Sequence, residues 1–355
     1  MPSFRTGVVD AVLSERAGLQ RVTVDGERAY VLTELTGPVA EGDRVVVNTT
    51  AVDLGLGTGG WHVVHWNLAR DGWSAEGPGH VMKLRYTSLQ ADTGCAEELE
   101  GGVLAEADDL EGMPVVACGL HSQVPCVAAA FRAAAPGARL AYVMTDGAAL
   151  PAALSDLVAG LRSSGLVATT VTAGQAFGGD LEAVGVPSAL LVARLVAGAD
   201  AVVVGMGPGV VGTATRLGFS AMEVGPVLDA AALLGGRPVA CLRVSMADPR
   251  LRHQGVSHHT RTALRLGTVN RCTVAVPRGR YEERIRGDLD ADGTALRHRL
   301  LGVDVPDVPA LLAEAGLRVT SMGRGPDEDP AFYAAAGAAG VVAALLLRGG
   351  EGARP

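Results

Sequence analysis

The sequence predicts an α/β protein with a small all-β domain in front, and three observations carry that reading. From residue 114 onward, short apolar runs such as PVVACGL, RLAYVMTD and ADAVVVGMG alternate with Ala-rich segments of helical character. Runs that are apolar throughout suit strands buried on both faces, as in a parallel sheet covered by helices. Before residue 90 the texture is different, with short alternating segments separated by turn residues. Between the two, residues 92–111 hold eight acidic residues and no basic one. The expected organisation is a β-barrel or sandwich over 1–90, an acidic linker over 91–112, and a doubly wound, mostly parallel, Rossmann-like domain over 113–355.

The N-terminal strands follow in order. RTGVVDAVL is the first, and VTV-DG-ERAYVL reads as a hairpin turning at Asp25-Gly26. GDRVVVNTT and WHVVHWNL come next. HVMKLRYTSLQ over 80–90 is expected as a further strand, with His80, Met82, Leu84 and Tyr86 on one face and Lys83 on the other. Lys83 is the single lysine among 30 basic residues. A lysine can lose its proton or form a Schiff base where an arginine cannot, which makes it a candidate ligand contact. An exposed strand position is the plain alternative.

In the second part, PVVACGL leads into a helix near 122–135, RLAYVMTD into one near 148–162, and LVATTVTAG into one near 186–198. ADAVVVGMG leads into helical segments near 213–220 and 225–234, and RPVACLRVS into one near 257–266. LRVTSMG is expected as the last strand, before the apolar segment AFYAAAGAAGVVAALLL.

Composition sets bounds. The net charge is −8, and the acidic stretch alone equals it. The rest is balanced, which argues against nucleic acid and anionic membrane partners. The apolar runs at 114–119, 200–204 and 340–347 are too short to span a bilayer, and MPSFRTGVVDAVL lacks the pattern of a signal peptide. A cytoplasmic location is expected. The five cysteines show no C-x-x-C spacing and read as reduced core residues. A homo-oligomer is left open.

Position carries the functional reading. His121, Asp146, the cluster Gln175–Asp180–Glu182, GMGPGVVGT and DPRLRHQGVSHHT each fall just after a strand and before a helix. GRGPDEDP follows LRVTSMG in the same way. In a parallel sheet these ends share one edge, where ligands bind. Gly207-Pro208-Gly209-Val210-Val211-Gly212 matches G-x-G-x-x-G, but the acidic partner of a dinucleotide site is missing at the end of the next strand. An NAD(P)-dependent oxidoreductase is therefore a distant reading. Gly205, Gly207, Gly209, Gly212 and Thr213 fit an anion held by backbone N–H groups at a helix start, or a tight turn with no ligand.

DPRLRHQGVSHHT gathers His253, His258 and His259, three of eight histidines, among arginines. One reading is a divalent metal on His253, His258 and a carboxylate such as Asp180, although H-x4-H-H is no known metal spacing. The other is a cationic pocket of Arg250, Arg252 and Arg261 for a small anion, with a histidine as acid or base. A structural alternative has His258 and His259 pointing apart beside Ser257 as helix cap. Asp180, freed by Gly178-Gly179, and Asp146 are the candidate catalytic carboxylates, each also a candidate N-cap. His121 at a helix start would have a lowered pKa.

GDRVVVNTTAVDLGLGTGG, GHVMKLRYTSLQ, TAGQAFGGDLEAVGVPSALL, GMGPGVVGTATRLGFS and DPRLRHQGVSHHT together resemble a bacterial family known only as a domain of unknown function. The resemblance spans nearly the whole chain and implies no activity, cofactor or site residue. The residues themselves point to an enzyme, hydrolase or transferase, acting on a small anionic substrate, phosphorylated or not, through His and Asp. A metabolite or nucleotide sensor without chemistry is the alternative.

Overall fold

In the computed structural model, which describes residues 1–57, 59–213 and 215–349, the chain divides into two compact units, Met1–Gly94 and Cys95–Pro355. The first unit is a closed five-stranded barrel. Its strands are β1 (Phe4–Arg16), β2 (Leu19–Val24), β3 (Glu27–Val31), β4 (Arg44–Asn48) and β5 (His62–Asn67), in the order β1-β2-β3-β5-β4. Alternation points one face inward, so Val22, Val24, Ala29, Val31, Val45, Val47 and Val64 form its core. Asp25 (φ 49°) and Gly26 (φ 78°) make the tight turn of the β2–β3 hairpin, where both central residues need positive φ.

Residues 80–90 do not form the expected strand. Only Met82–Lys83 is extended, paired antiparallel with Ala91–Asp92. Leu84 (φ 53°) and Tyr86 (φ 59°) are left-handed, which breaks the alternation. The acidic stretch carries two single-turn helices, Ala96–Leu99 and Gly101–Leu104.

The second unit is built on an eight-stranded parallel sheet. Its strands are β6 (Pro114–Ala117), β7 (Leu140–Thr145), β8 (Thr169–Ala173), β9 (Leu181–Ala183), β10 (Ala201–Met206), β11 (Arg237–Ala240), β12 (Thr273–Pro277) and β13 (Arg299–Val303), ordered β9-β8-β7-β10-β6-β11-β12-β13. Helices α1 (Gln123–Ala134), α2 (Asp156–Ser163), α3 (Val186–Leu191), α4 (Val224–Leu233), α5 (His258–Thr262), α6 (Glu282–Asp290), α7 (Val308–Glu314) and α8 (Pro330–Leu347) complete it. Along β6, Val116 enters one core while Val115 and Ala117 enter another. α1 and most of α8 pack in the first core, α3 and α4 in the second. Both faces of the sheet are therefore covered, which is why its strands read as unbroken apolar runs.

Two expected elements need correction. LRVTSMG is not a strand. Residues 321 and 324 make one isolated bridge, Met322 has φ 52°, and the sheet edge is taken by β13 instead. The segment 213–220, of which residue 214 lies outside the described residues, does not form the expected helix. A 3-10 turn at Ser220–Glu223 leads directly into α4. α8 runs longer than the apolar tract 340–347 suggests. By length and composition it could cross a membrane, yet Phe332, Tyr333, Ala336, Ala339, Val342 and Ala343 are buried in the sheet-covering core.

α5 continues into a π-helical turn, Ala263–Gly267, that crosses α4 at Gly225. A Cβ on Gly225 would lie 2.0 Å from the Gly267 carbonyl oxygen. Backbone cannot yield there as a side chain would. Gly225→Ala is expected to destabilise the fold by about 1–3 kcal/mol through overpacking. A melting temperature equal to wild type would contradict that.

Candidate functional site

The connections after β6 and β10 leave in opposite directions. The chain after β6 forms α1 on one face and continues to β7, with β10 between them. The chain after β10 forms α4 on the other face and continues to β11, on the far side of β6. Diverging connections leave a crevice beyond the carboxyl ends of such strands. A cavity of about 230 Å³ lies there. Gly119 and Leu120 line it after β6, Val210, Val211, Gly212, Thr213, Ser220 and Ala221 after β10, and Arg243, Arg250, Arg252, His253 and His259 after β11. Met322 completes the wall.

The cationic wall is held by a small antiparallel pair. Val244–Ser245 and Gly255–Val256 clamp the base of the loop 246–254. Within that loop Asp248 is fully buried. It accepts from Arg243 Nη2 at 3.0 Å, Arg250 Nε at 3.0 Å and Arg324 Nη2 at 3.2 Å. Hydrogen bonding by Arg250, followed by the charges of Arg250 and Arg243, holds its carboxyl far below the usual carboxylate range. Asp329, also buried, accepts from Arg324 Nε at 3.3 Å and from Met246 N at 3.1 Å. Two carboxylates thus face Arg243, Arg250 and Arg324, while Arg252 makes no hydrogen bond or ion pair among the described residues. The wall keeps a positive excess.

The histidines stand against this wall. His253 is buried, and its Nδ1 receives Arg243 Nη1 at 2.7 Å with Ser257 Oγ at 2.8 Å. A guanidinium only donates, so Nδ1 is the acceptor and the proton of the neutral ring sits on Nε2. Ser257 caps α5, its Oγ accepting from His259 N at 3.3 Å. His259 stacks on Phe219, with centroids 4.0 Å apart and planes 10° apart. Its ring lies 3.4 Å from where a Cβ on Gly212 would be, so the glycine lets the β10 loop close over it. His258 and His259 do not diverge. Their centroids are 4.2 Å apart, and Nε2 of His258 is buried without a hydrogen-bond partner, as is Nε of Arg243. Burial first, then neighbouring cations, lowers all three pKa values: His253 to about 3, His259 to about 4, and His258 in the same direction.

The remaining sequence candidates lie elsewhere. His121 is buried behind the cavity, with Nδ1 3.1 Å from the Met206 carbonyl and Nε2 2.7 Å from Ser155 Oγ, and burial lowers its pKa to about 4. It ties three segments together and does not line the cavity. Asp180 sits beside Thr170 at the start of β8, accepting its N–H and Oγ1 at 2.8 Å each and pairing with Arg162. The parallel partner β9 must return to the beginning of β8 before Leu181, which carries Asp180 to the opposite edge of the sheet. Asp146 accepts from Gln175 N at 2.9 Å and does not line the cavity. Gly205 belongs to β10. A Cβ on Gly207 would meet the Ala149 carbonyl at 2.5 Å, and Gly209 has φ 99°. These are close-packing and turn positions. Lys83 belongs to the N-terminal unit, where it is buried.

Residues 28–340 match the model of a family described as protein of unknown function (DUF3866). The chain belongs to that family. No curated protein and no solved structure matches it. In this DUF3866 protein, the residues that sequence reading passed over are Arg243, Phe219, Met322 and Glu223. Arg243 interrupts the apolar run ACLRVS, and a lone arginine there was the available signal. Glu223, three residues past Ser220, accepts Thr145 Oγ1 on both oxygens at 2.9 Å, and burial pushes its pKa up to about 7.

His253, His258 and His259 offer ligand atoms within 4.8 Å of one another. The donor set nonetheless fits a metal poorly. A metal-bound imidazole normally donates its other ring N–H to a carboxylate or carbonyl. Here Nδ1 of His253 faces a guanidinium donor, so Nε2 would have to lose its proton to coordinate. Among the described residues no carboxylate lines the cavity, and Asp248 is already committed to arginines.

Proposed function

We propose that this DUF3866 protein binds a small phosphate-bearing molecule in the cavity at the ends of β6, β10 and β11, within a doubly wound, Rossmann-like sheet. The observation that carries the reading is the cationic wall with no carboxylate among its described lining residues: Arg243, Arg250 and Arg252 line the cavity, Arg252 is without an ion pair among the described residues, and Asp248 is saturated. An anion in the cavity would engage Arg252 and offset the positive charge of the wall, and guanidiniums suit phosphate oxygens in particular. His253 presents an Nε2 proton as donor. His259, neutral near pH 7 and stacked on Phe219, is positioned to accept a proton from the ligand. The reading is therefore an enzyme of hydrolase or transferase type that works by histidine acid–base chemistry. Neither Asp180 nor Asp146 takes part.

Calorimetric titration with inorganic phosphate tests the binding step. Arg252→Ala and His259→Ala are each expected to weaken phosphate about tenfold or more, the loss of one charge-assisted hydrogen bond. Arg252 is exposed, so its variant should melt within a degree or two of wild type. Equal phosphate affinity in both variants and wild type would refute the assignment. Zinc titrated into the same protein should give no saturable heat.

A further inference from the structure

The cavity beyond β6, β10 and β11 has an apolar side as well as a charged one. Val210, Val211 and Met322 line it and are 42%, 63% and 53% exposed. Single exposed apolar side chains are ordinary on a protein surface. Three on the rim of one cavity, beside Arg250 and Arg252, form a patch, and apolar patches bounded by polar residues mark ligand sites.

Backbone contacts hold these side chains in place. Val211 N donates to Ser220 Oγ at 3.1 Å, and its carbonyl accepts from Ser220 N at 2.9 Å, so the β10 loop is pinned with its valines at the rim. Met322 sits in a tight turn closed by two backbone hydrogen bonds between Ser321 and Arg324, at 3.0 Å each. Its φ of 52° and the 82° of Gly323 have the signs of a type I′ turn, whose first central position favours Asn, Asp or Gly. Methionine is a poor choice for the turn itself. A left-handed backbone at a residue that gains nothing locally from it points to a use for the side chain.

The turn is tied to the cationic wall. Arg324, which closes it, donates to Asp248, the carboxylate that also holds Arg250. Met322 therefore keeps a fixed place relative to the guanidiniums. A group esterified to a phosphate at Arg252 shares the cavity with Met322 and the valines. The volume is about 230 Å³, below the roughly 300–1,000 Å³ of pockets for drug-sized ligands, so that group is compact. The unbranched, polarisable methionine side chain suits an aliphatic or an aromatic group equally. A sugar phosphate would instead set hydroxyls against side chains that cannot hydrogen-bond them.

Resting on the phosphate reading of this cavity, we infer that its ligand is a phosphomonoester of a compact apolar alcohol, with Met322 and Val211 selecting the apolar group.

Calorimetric titration of the full chain with phenyl phosphate, glycerol 1-phosphate and inorganic phosphate tests this. The readout is the ratio of affinities for the two esters, taken within each protein. In wild type, phenyl phosphate should bind about fivefold or more tighter than glycerol 1-phosphate. Met322→Gly, which relaxes the turn, and Val211→Ser should each lower that ratio by about twofold or more. Arg252→Ala should weaken both esters together and change the ratio by less than about twofold. Both apolar positions are exposed, so melting temperatures within a few degrees of wild type are expected. A ratio lowered by one variant alone assigns the selection to that residue. A smaller wild-type ratio, or one that neither apolar variant lowers, overturns the inference, and inorganic phosphate that still binds and weakens in Arg252→Ala then leaves the phosphate reading standing. If none of the three probes binds, or if Arg252→Ala weakens none of them, the phosphate reading fails and the inference falls with it.

Discussion

Asp248→Ala is expected to cost about 3–5 kcal/mol of folding stability, the effect of removing one partner from a buried ion pair. Asp248 is wholly buried, and Arg243, only 6% exposed, loses its carboxylate along with Arg250 and Arg324. Arg243 would remain as a buried cation whose Nε already lacks a partner. The pH dependence has a definite sign. Because the folded-state pKa of Asp248 is depressed, its contribution is fully present above the ordinary aspartate pKa of about 3.8 and is lost as pH falls toward the folded value. At pH 7 the whole effect should appear. Urea unfolding of wild type and variant at pH 7 measures it. A difference under about 1 kcal/mol would show that the arginines relax into solvent instead.

Acid should destabilise this protein earlier than carboxylate protonation alone would. His121, His253 and His259 are neutral in the folded state down to about pH 4 or below, whereas in the unfolded chain each binds a proton below about 6.5. The unfolded state then holds more protons, so stability falls as pH drops through this window. Each fully buried neutral histidine contributes up to about 1.4 kcal/mol per pH unit. His121 and His253 are buried, while His259 is only partly buried and counts for less. Between pH 6.5 and 5 a loss of roughly 3 kcal/mol is expected. Saturating phosphate should flatten the slope, since an anion favours protonated imidazole. Stability that does not change between pH 7 and 5 would contradict neutral buried histidines.

The strands that were legible are those with unbroken apolar runs: β6, β7, β8, β10 and β11. β12 and β13 were missed because TVAVP and RLLGV are short, with arginines close by or leading them, and local periodicity gives little signal over five residues. LRVTSMG has a better alternating pattern than β13 but lies outside the sheet, a tertiary choice that no local pattern encodes. The histidine cluster was visible by composition. Its scaffold was not, because Asp248, Arg324 and Asp329 meet through a fold in which residues 76 apart become hydrogen-bonded. Asp180 was misplaced for a topological reason. A loop following a strand marks the carboxyl edge only if its residues stay there, and β9 draws this one back.

The composition of the cavity wall has a kinetic side. Its residues come from segments around 119, 210–221, 243–259 and 322, and no two of these segments are neighbours in the chain. Such contacts form late, after loop closures of high entropic cost. No subset of the sheet can present the complete cavity, so partly folded chains should not bind a ligand there. A ligand of the native cavity would then lower the population of every opened form at once, by RT ln(1 + [L]/Kd). Protection from proteolysis should therefore spread across the whole of the Cys95–Pro355 unit and not only across the loops that touch the ligand.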